Sequence, residues 1–253
     1  MATADLAVGP SRGRQRRRLR YFFMFMVAVS VVILSLAFVP EFMAYAAGAF
    51  PIAPILHVHA AIMLAWVAGF GVQAYLGARG DIVQHQRTGR IVLAIGWLAW
   101  ASMVFVEWRA MLVHPLPDKL PPYDEFLAGP YIYLTFPIFL AWAYRERRRP
   151  MWHKRLMLFA LFLSLGAAVQ RYVWLPMTDS RMGYWAIAAF LDLTLVLPLI
   201  AFDLVTLKGR LHRATMHAMA VLFCAQAIML SLWGSSAWRE FAYNYSHAFR
   251  RLG

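Results

Sequence analysis

The chain holds a single cysteine, Cys224, set in an apolar run, which excludes an intrachain disulfide and any cysteine-based zinc cage. It is also poor in charge. Charged residues make up 15% of the 253 positions and hydrophobic ones 62%, so a water-soluble domain of this length is excluded and lipid must cover much of the surface. Acids are the scarcer sign, 12 Asp and Glu against 25 Lys and Arg. No stretch alternates with period two, which argues against a transmembrane barrel. There is no glycine-rich phosphate loop, no Gly-x-Ser-x-Gly elbow, and no serine in an interpretable motif with a histidine and an acid. A nucleic-acid-binding motif is missing as well. The net charge of +13 lies beside the apolar runs, where basic residues set topology and meet anionic headgroups at the cytoplasmic face. The expected partners are therefore membrane lipids and not nucleic acid.

What is present is a series of seven apolar segments of about 20 residues, the length that crosses about 30 Å of hydrocarbon. They run roughly 21–40, 54–78, 90–113, 127–144, 156–176, 184–207 and 215–237. The first follows a basic region at Arg12–Arg20 and precedes Ala44-Tyr45-Ala46, as in a signal peptide, but at 19 residues it reads as a retained helix. With the N-terminus cytoplasmic, Lys and Arg number six in the tail, three at 79–90, six at 145–155 and three at 208–213, against six on the opposite side. That is a clear positive-inside bias. The expectation is an all-α polytopic membrane protein with seven transmembrane helices, N-in and C-out: a basic cytoplasmic tail at 1–20, one transmembrane domain at 21–238 and a short non-cytoplasmic tail at 239–253. Tyr21, Trp108, Trp152, Trp174, Tyr184 and Trp238 fall where an interfacial aromatic belt would lie.

The densest chemistry lies between His59 and Arg90. His59, Trp66 and Gln73 sit seven apart and share one helical stripe, and His59 rather than His57 faces inward, because two residues turn a helix by about 200°. A basic turn follows, His85-Gln86-Arg87-Thr88-Gly89, with echoes at His153-Lys154-Arg155 and His212-Arg213. The echoes suggest three related hairpins, helices 2–3, 4–5 and 6–7. His85, His153 and His212 with Asp203 make an inner set able to ligate Zn²⁺ or iron, and a zinc ion with an open position would activate water. The alternative for these histidines, and for His217, is contact with headgroups; His212 and His217, five apart, point in different directions on a helix.

An outer set comprises His59, Glu107, Arg171 and Asp192. Ionisable groups at membrane depth face the bundle interior with a partner, and Arg171 with Asp192 or Glu107 is the natural pairing. It reads either as a structural lock or as a small polar pocket opening outward. A b-type haem needs axial histidines at similar depth; His59 and His114 are the outer candidates, and His85, His153, His212 and His217 the inner ones. Gln73, Gln170 and Gln226 read as interhelical hydrogen-bonders, and the 14 methionines as packing residues.

Several motifs recur together: His59 with Trp66 and Gln73, His85-Gln86-Arg87-Thr88-Gly89, His153-Lys154-Arg155-Leu156-Met157 with Arg171, and Phe202-Asp203 followed by Gly209-Arg210-Leu211-His212-Arg213-Ala214-Thr215. On these, over residues 55–245, the chain resembles a group of uncharacterised bacterial seven-helix inner-membrane proteins. Gln86 and Thr88 depart from that group's His-Arg-x-Leu-Gly turn. The resemblance implies fold and a multi-pass location in a bacterial inner membrane, and no activity. The layout is also similar to that of the adiponectin-receptor and alkaline-ceramidase superfamily, whose paired histidines four apart on the last helix this chain lacks. The leading functional expectation is a cytosolic-face histidine metal site acting on a lipid or apolar substrate. The alternatives are a b-haem protein exchanging electrons with quinone, and a non-enzymatic transporter or assembly partner.

Overall fold

Helix boundaries in this chain are set by proline, glycine and one aspartate more than by where hydrophobicity begins and ends. The computed structural model describes the backbone of residues 10–113, 127–169 and 181–250, and side chains at 21–110, 127, 129–166, 168, 194–245 and 247. Among the described residues every regular element is helical. The helices are α1 (Pro10–Ala46), α2 (Pro54–Arg79), α3 (Ile82–Val113), α4 (Ala128–Arg145), α5 (Pro150–Leu163), α6 (Gly166–Val169), α7 (Arg181–Thr206), α8 (Arg213–Leu232) and α9 (Ser236–Arg250).

Four segments are long and apolar enough to cross a membrane: Tyr21–Ala46, Pro54–Arg79, Ile82–Ala110 and Arg213–Leu232. Their outward faces carry apolar side chains at sevenfold spacing, Ile91, Leu98 and Phe105 on α3 and Met216, Phe223 and Leu230 on α8, all exposed. Continuous apolar stripes of this kind are costly in water and at home in lipid.

Pro54 opens α2, where its missing N–H is no loss. Gly80, at φ 79°, closes it, with Gly80 N donating to Gly77 O and Asp81 N to Leu76 O. Asp81 Oδ1 then accepts from Gln84 N at 3.1 Å and caps the next helix at once. As a result α3 starts at Ile82, eight residues before the hydrophobic pattern does. The expected basic turn at 85–89 is instead helical, with Thr88 Oγ1 bonded back to Gln84 O at 2.7 Å.

The fifth expected span, 156–176, is interrupted. Helix α5 begins at Pro150 and stops at Leu163, where the backbone tightens to i−3 bonds, Ser164 N to Leu161 O at 3.1 Å and Leu165 N to Phe162 O at 2.9 Å. There the Ser164 hydroxyl takes the Leu161 carbonyl at 2.5 Å and receives the Trp66 indole N–H at 3.2 Å. The short α6 follows, and residues 170–180 lie outside the described residues. Leu156, Leu158–Leu163 and Leu165 are all buried, so α5 is the central helix of the bundle, with α4, α8, α7 and α1 against it. Trp66 is fully buried at its side, with Phe136 and Phe70 edge-on at 5.7 and 6.0 Å.

Helices α2 with α3 and α4 with α5 pack against each other as hairpins should. Past Leu232 the chain turns at Gly234, φ 75°, into α9, which takes in most of the segment expected as a tail. Trp238 and Ala242 of α9 are buried with Leu127, Met229 and Trp233, and Ala110 of α3 packs on the same cluster. Trp238 is thus a packing residue, and Tyr21 is exposed.

Candidate functional site

The stripe on α2 faces inward as its spacing predicts, and each member finds a partner on another segment. The Ser102 hydroxyl donates to Ala99 O at 2.8 Å, so His59 Nδ1, 3.0 Å away, donates to the Ser102 oxygen. His57 is exposed, 3.5 Å from the Tyr45 hydroxyl. Gln73 reaches α3: its amide oxygen accepts from Gly89 N at 3.2 Å and shares the proton of Thr88 Oγ1, 2.6 Å away, with Gln84 O, and its nitrogen donates to His85 O at 2.9 Å. Gly89 is needed for that approach, since a Cβ there would lie 3.1 Å from the Gln73 amide.

At this end of the bundle two distant imidazoles meet. His85 of α3 and His153 of α5 have ring centres 6.2 Å apart and perpendicular planes. His153 Nδ1 lies 2.8 Å from Ala143 O, which fixes its proton on Nδ1 and leaves Nε2 as a free lone pair. His85 Nδ1 lies 3.2 Å from the Gln73 main-chain oxygen and 2.9 Å from the Gln73 amide nitrogen, so it can hold or give up that proton. Burial, first of all, holds the His153 pKa below its ordinary value; His85 and Lys154 push the same way, and the Ala143 carbonyl opposes them.

The other two members of the inner set are engaged elsewhere. Asp203 is fully buried and forms an ion pair with the equally buried Arg155. Its second oxygen accepts from Thr215 Oγ1 at 2.6 Å and His212 N at 3.0 Å. These bonds tie α5, α7 and the start of α8 together and occupy three of the carboxylate's acceptor positions. His212 is the N-cap of α8, its Nδ1 accepting from Ala214 N at 3.0 Å. The proton of the neutral ring is then on Nε2, so neither nitrogen is open to a metal. Burial lowers the pKa of His212, Arg155 adds to this, and Asp203 opposes it. Among the described residues no three His, Cys, Asp or Glu side chains gather as a metal site. The expected set of His85, His153, His212 and Asp203 therefore divides into an imidazole pair and a charge lock.

His217 is exposed, with Nδ1 donating to Arg213 O at 2.6 Å. His212 and His217 each lie against Trp152, with ring centres 6.0 and 5.7 Å from it, and His212 precedes the helix with extended backbone. Trp152 is therefore flanked by both histidines.

The outer set is described only in part. Glu107 lies directly across Gly129 of α4, where a Cβ would come within 2.6 Å of its carboxylate oxygen, and Tyr133 is within electrostatic reach of both Glu107 and Tyr245. Arg171 and His114 lie outside the described residues, as does Gln170; Asp192 is in α7 with its side chain outside them. Gln226 donates to the Tyr131 hydroxyl at 3.3 Å, an interhelical bond as expected. Sequence reasoning missed Arg155 as a structural charge. The available signal was a second basic residue, two beyond His153, at the edge of an otherwise apolar run. No protein-family model, curated protein or solved structure matches the chain.

Proposed function

We propose that the chain is a seven-span protein of a bacterial inner membrane, N-in and C-out, akin to the uncharacterised group it resembles, and that it handles a metal ion at its cytoplasmic end on His85 and His153. The positive-inside bias and the lipid-suited stripes support the membrane reading. Anionic headgroups are the natural neighbours of this face, where Arg147 lies over the Tyr144 ring at 4.3 Å and Arg79 bonds the Tyr75 hydroxyl at 2.7 Å, side chains lying along aromatic surface with charge at its edge.

One observation carries the functional part: two imidazoles 68 residues apart in sequence converge to 6.2 Å, one with its tautomer fixed by a main-chain carbonyl and the other able to match it. A ring nitrogen held on a carbonyl is the usual support of a metal-bound histidine. A hydrolytic zinc or iron centre for lipid substrates takes at least three protein ligands. With Asp203 and His212 engaged, two remain, and the pair favours ion binding itself, for storage or transfer, over Lewis-acid catalysis.

The test is to purify the whole chain in mild detergent, record its visible spectrum and measure metals per chain by mass spectrometry. A stoichiometric ion lost on His85→Ala or His153→Ala, and kept on His217→Ala, supports the proposal. A Soret band would transfer the same pair to haem. Absence of any ion after expression with metals and haem supplied would leave the histidines as interfacial residues. For topology, Lys208→Cys and Ser236→Cys in a Cys224→Ser background should label from opposite sides of the membrane.

A further inference from the structure

We infer that the ion taken by His85 and His153 is a soft monovalent d¹⁰ cation, Cu(I), held end-on between two imidazole nitrogens. The inference rests on the ion-handling reading above and concerns which ion the site selects.

Three independent features of the pair point the same way. The first is ligand number. A divalent zinc or iron site is completed by four or more donors, and among the described residues no third His, Cys, Asp or Glu joins these two. A d¹⁰ monovalent ion is satisfied by two neutral nitrogens.

The second is distance. Two imidazoles bound to one ion through bonds of about 2.0 Å have ring centres about 6 Å apart when opposed and about 5 Å apart at a tetrahedral angle. The ring centres lie 6.2 Å apart, the spacing an opposed pair would need. Perpendicular ring planes are compatible with this, because opposed rings are free to turn about their common axis.

The third is charge. Every described carboxylate near this face already has a positive or N–H partner: Asp81 caps α3, Glu146 pairs with Arg149 at 3.4 Å, and Asp203 is locked to Arg155. Lys154 adjoins His153 in sequence. A second positive charge on the ion would therefore be uncompensated in a half-buried site, where each unit of charge is costly to desolvate. A single charge shared by two neutral rings halves that burden.

His153 keeps its proton on Nδ1 for Ala143 O. His85 frees its Nε2 when Nδ1 donates to Gln73 O at 3.2 Å, which leaves the Gln73 amide nitrogen, 2.9 Å away, donating to His85 O alone.

The experiment is an anaerobic titration of the full chain in detergent with Cu(I) buffered by a chromogenic chelator, alongside Zn(II) and Fe(II) titrations of the same preparation. One Cu(I) per chain, bound at least 100-fold more tightly than Zn(II), is the expected result. His85→Ala and His153→Ala should each weaken it 100-fold or more, with His217→Ala unchanged. A His153→Met variant, which keeps a soft donor, should retain Cu(I) while abolishing any residual Zn(II) binding; it also answers the case in which the alanine variants fail to fold. Zn(II) or Fe(II) bound as tightly through the same two histidines would overturn the copper assignment and leave the ion-handling reading standing. No ion of any kind on the folded protein would overturn both. Cu(I) binding indifferent to both histidines would remove it from this site.

Discussion

Replacing Asp203 by alanine tests whether the buried lock, and not hydrophobic packing alone, holds the inner end of the bundle together. Arg155 and Asp203 are both fully buried, so no solvent screening reduces their interaction. The substitution strands three groups: the Arg155 guanidinium, whose Nε has no partner even in the intact protein, the Thr215 hydroxyl and the His212 N–H. Breaking a buried pair by removing one partner costs about 3–5 kcal/mol, because an uncompensated charge remains. For a chain of this size, at about 2–4 °C per kcal/mol, Asp203→Ala should lower the unfolding midpoint by about 10 °C. Removing both charges while keeping volume, Arg155→Met with Asp203→Leu, is expected to recover most of that loss, since a buried pair is often no more stable than its hydrophobic replacement. Thermal unfolding of the purified chain in one detergent, followed by circular dichroism, measures both. If the single variant unfolds within 2 °C of the parent, or the double variant is no better than the single, Asp203 is not the anchor described.

The His212 cap should make the α8 start acid-sensitive. Its folded pKa is lowered, so the unfolded chain binds the proton more readily and stability falls as pH drops below its ordinary value of 6.5, while above that the contribution is fully present. His212→Asn, which caps without titrating, should remove the acid-labile component in midpoint-versus-pH curves, and His212→Ala should cost about 1 kcal/mol at neutral pH. Gly96 faces the Trp66 indole so closely that a Cβ would lie 2.7 Å from it and 3.2 Å from Leu140. Gly96→Ala should therefore cost about 1–3 kcal/mol, and Trp66→Phe should relieve part of that in the double variant. A Gly96→Ala chain as stable as the parent would mean that the α2–α3 contact can spread.

Hydropathy made the helices legible, because length and polarity alone decide whether a segment can cross hydrocarbon, and the stripe at His59, Trp66 and Gln73 followed from helical geometry without tertiary information. Helix starts were less legible. The early start of α3 depends on Gly80 and Asp81, polar residues that add nothing to a hydropathy sum but terminate one helix and cap the next. At the break in α5 Ser164 receives the indole N–H of Trp66, 98 residues away in sequence, and no local pattern encodes such a contact. The inner histidines were visible as a recurring motif, but not their division of labour. His153 and His85 lie within helical turns and project sideways, whereas His212 stands just ahead of its helix and turns its ring onto the backbone.

The pair and the lock share the first turn of α5, which couples them. His153 and Arg155 are two residues apart, about 200° around the helix, so one side of the turn reaches Ala143 and His85 while the other reaches Asp203 and Thr215. Arg155 also donates to Met151 O at 2.9 Å, binding its side chain to the same turn. Releasing Arg155 should let that turn shift and misalign His153 without touching either imidazole. Loss of a group that orients a metal ligand weakens affinity by about 10–100-fold, so Asp203→Asn, the mildest change that removes the charge, should weaken Cu(I) binding about tenfold in the same chelator titration. A fold that loses stability as expected yet binds the ion with parental affinity would show the start of α5 to be held by Pro150 and its apolar neighbours alone, and the two inner features to be independent.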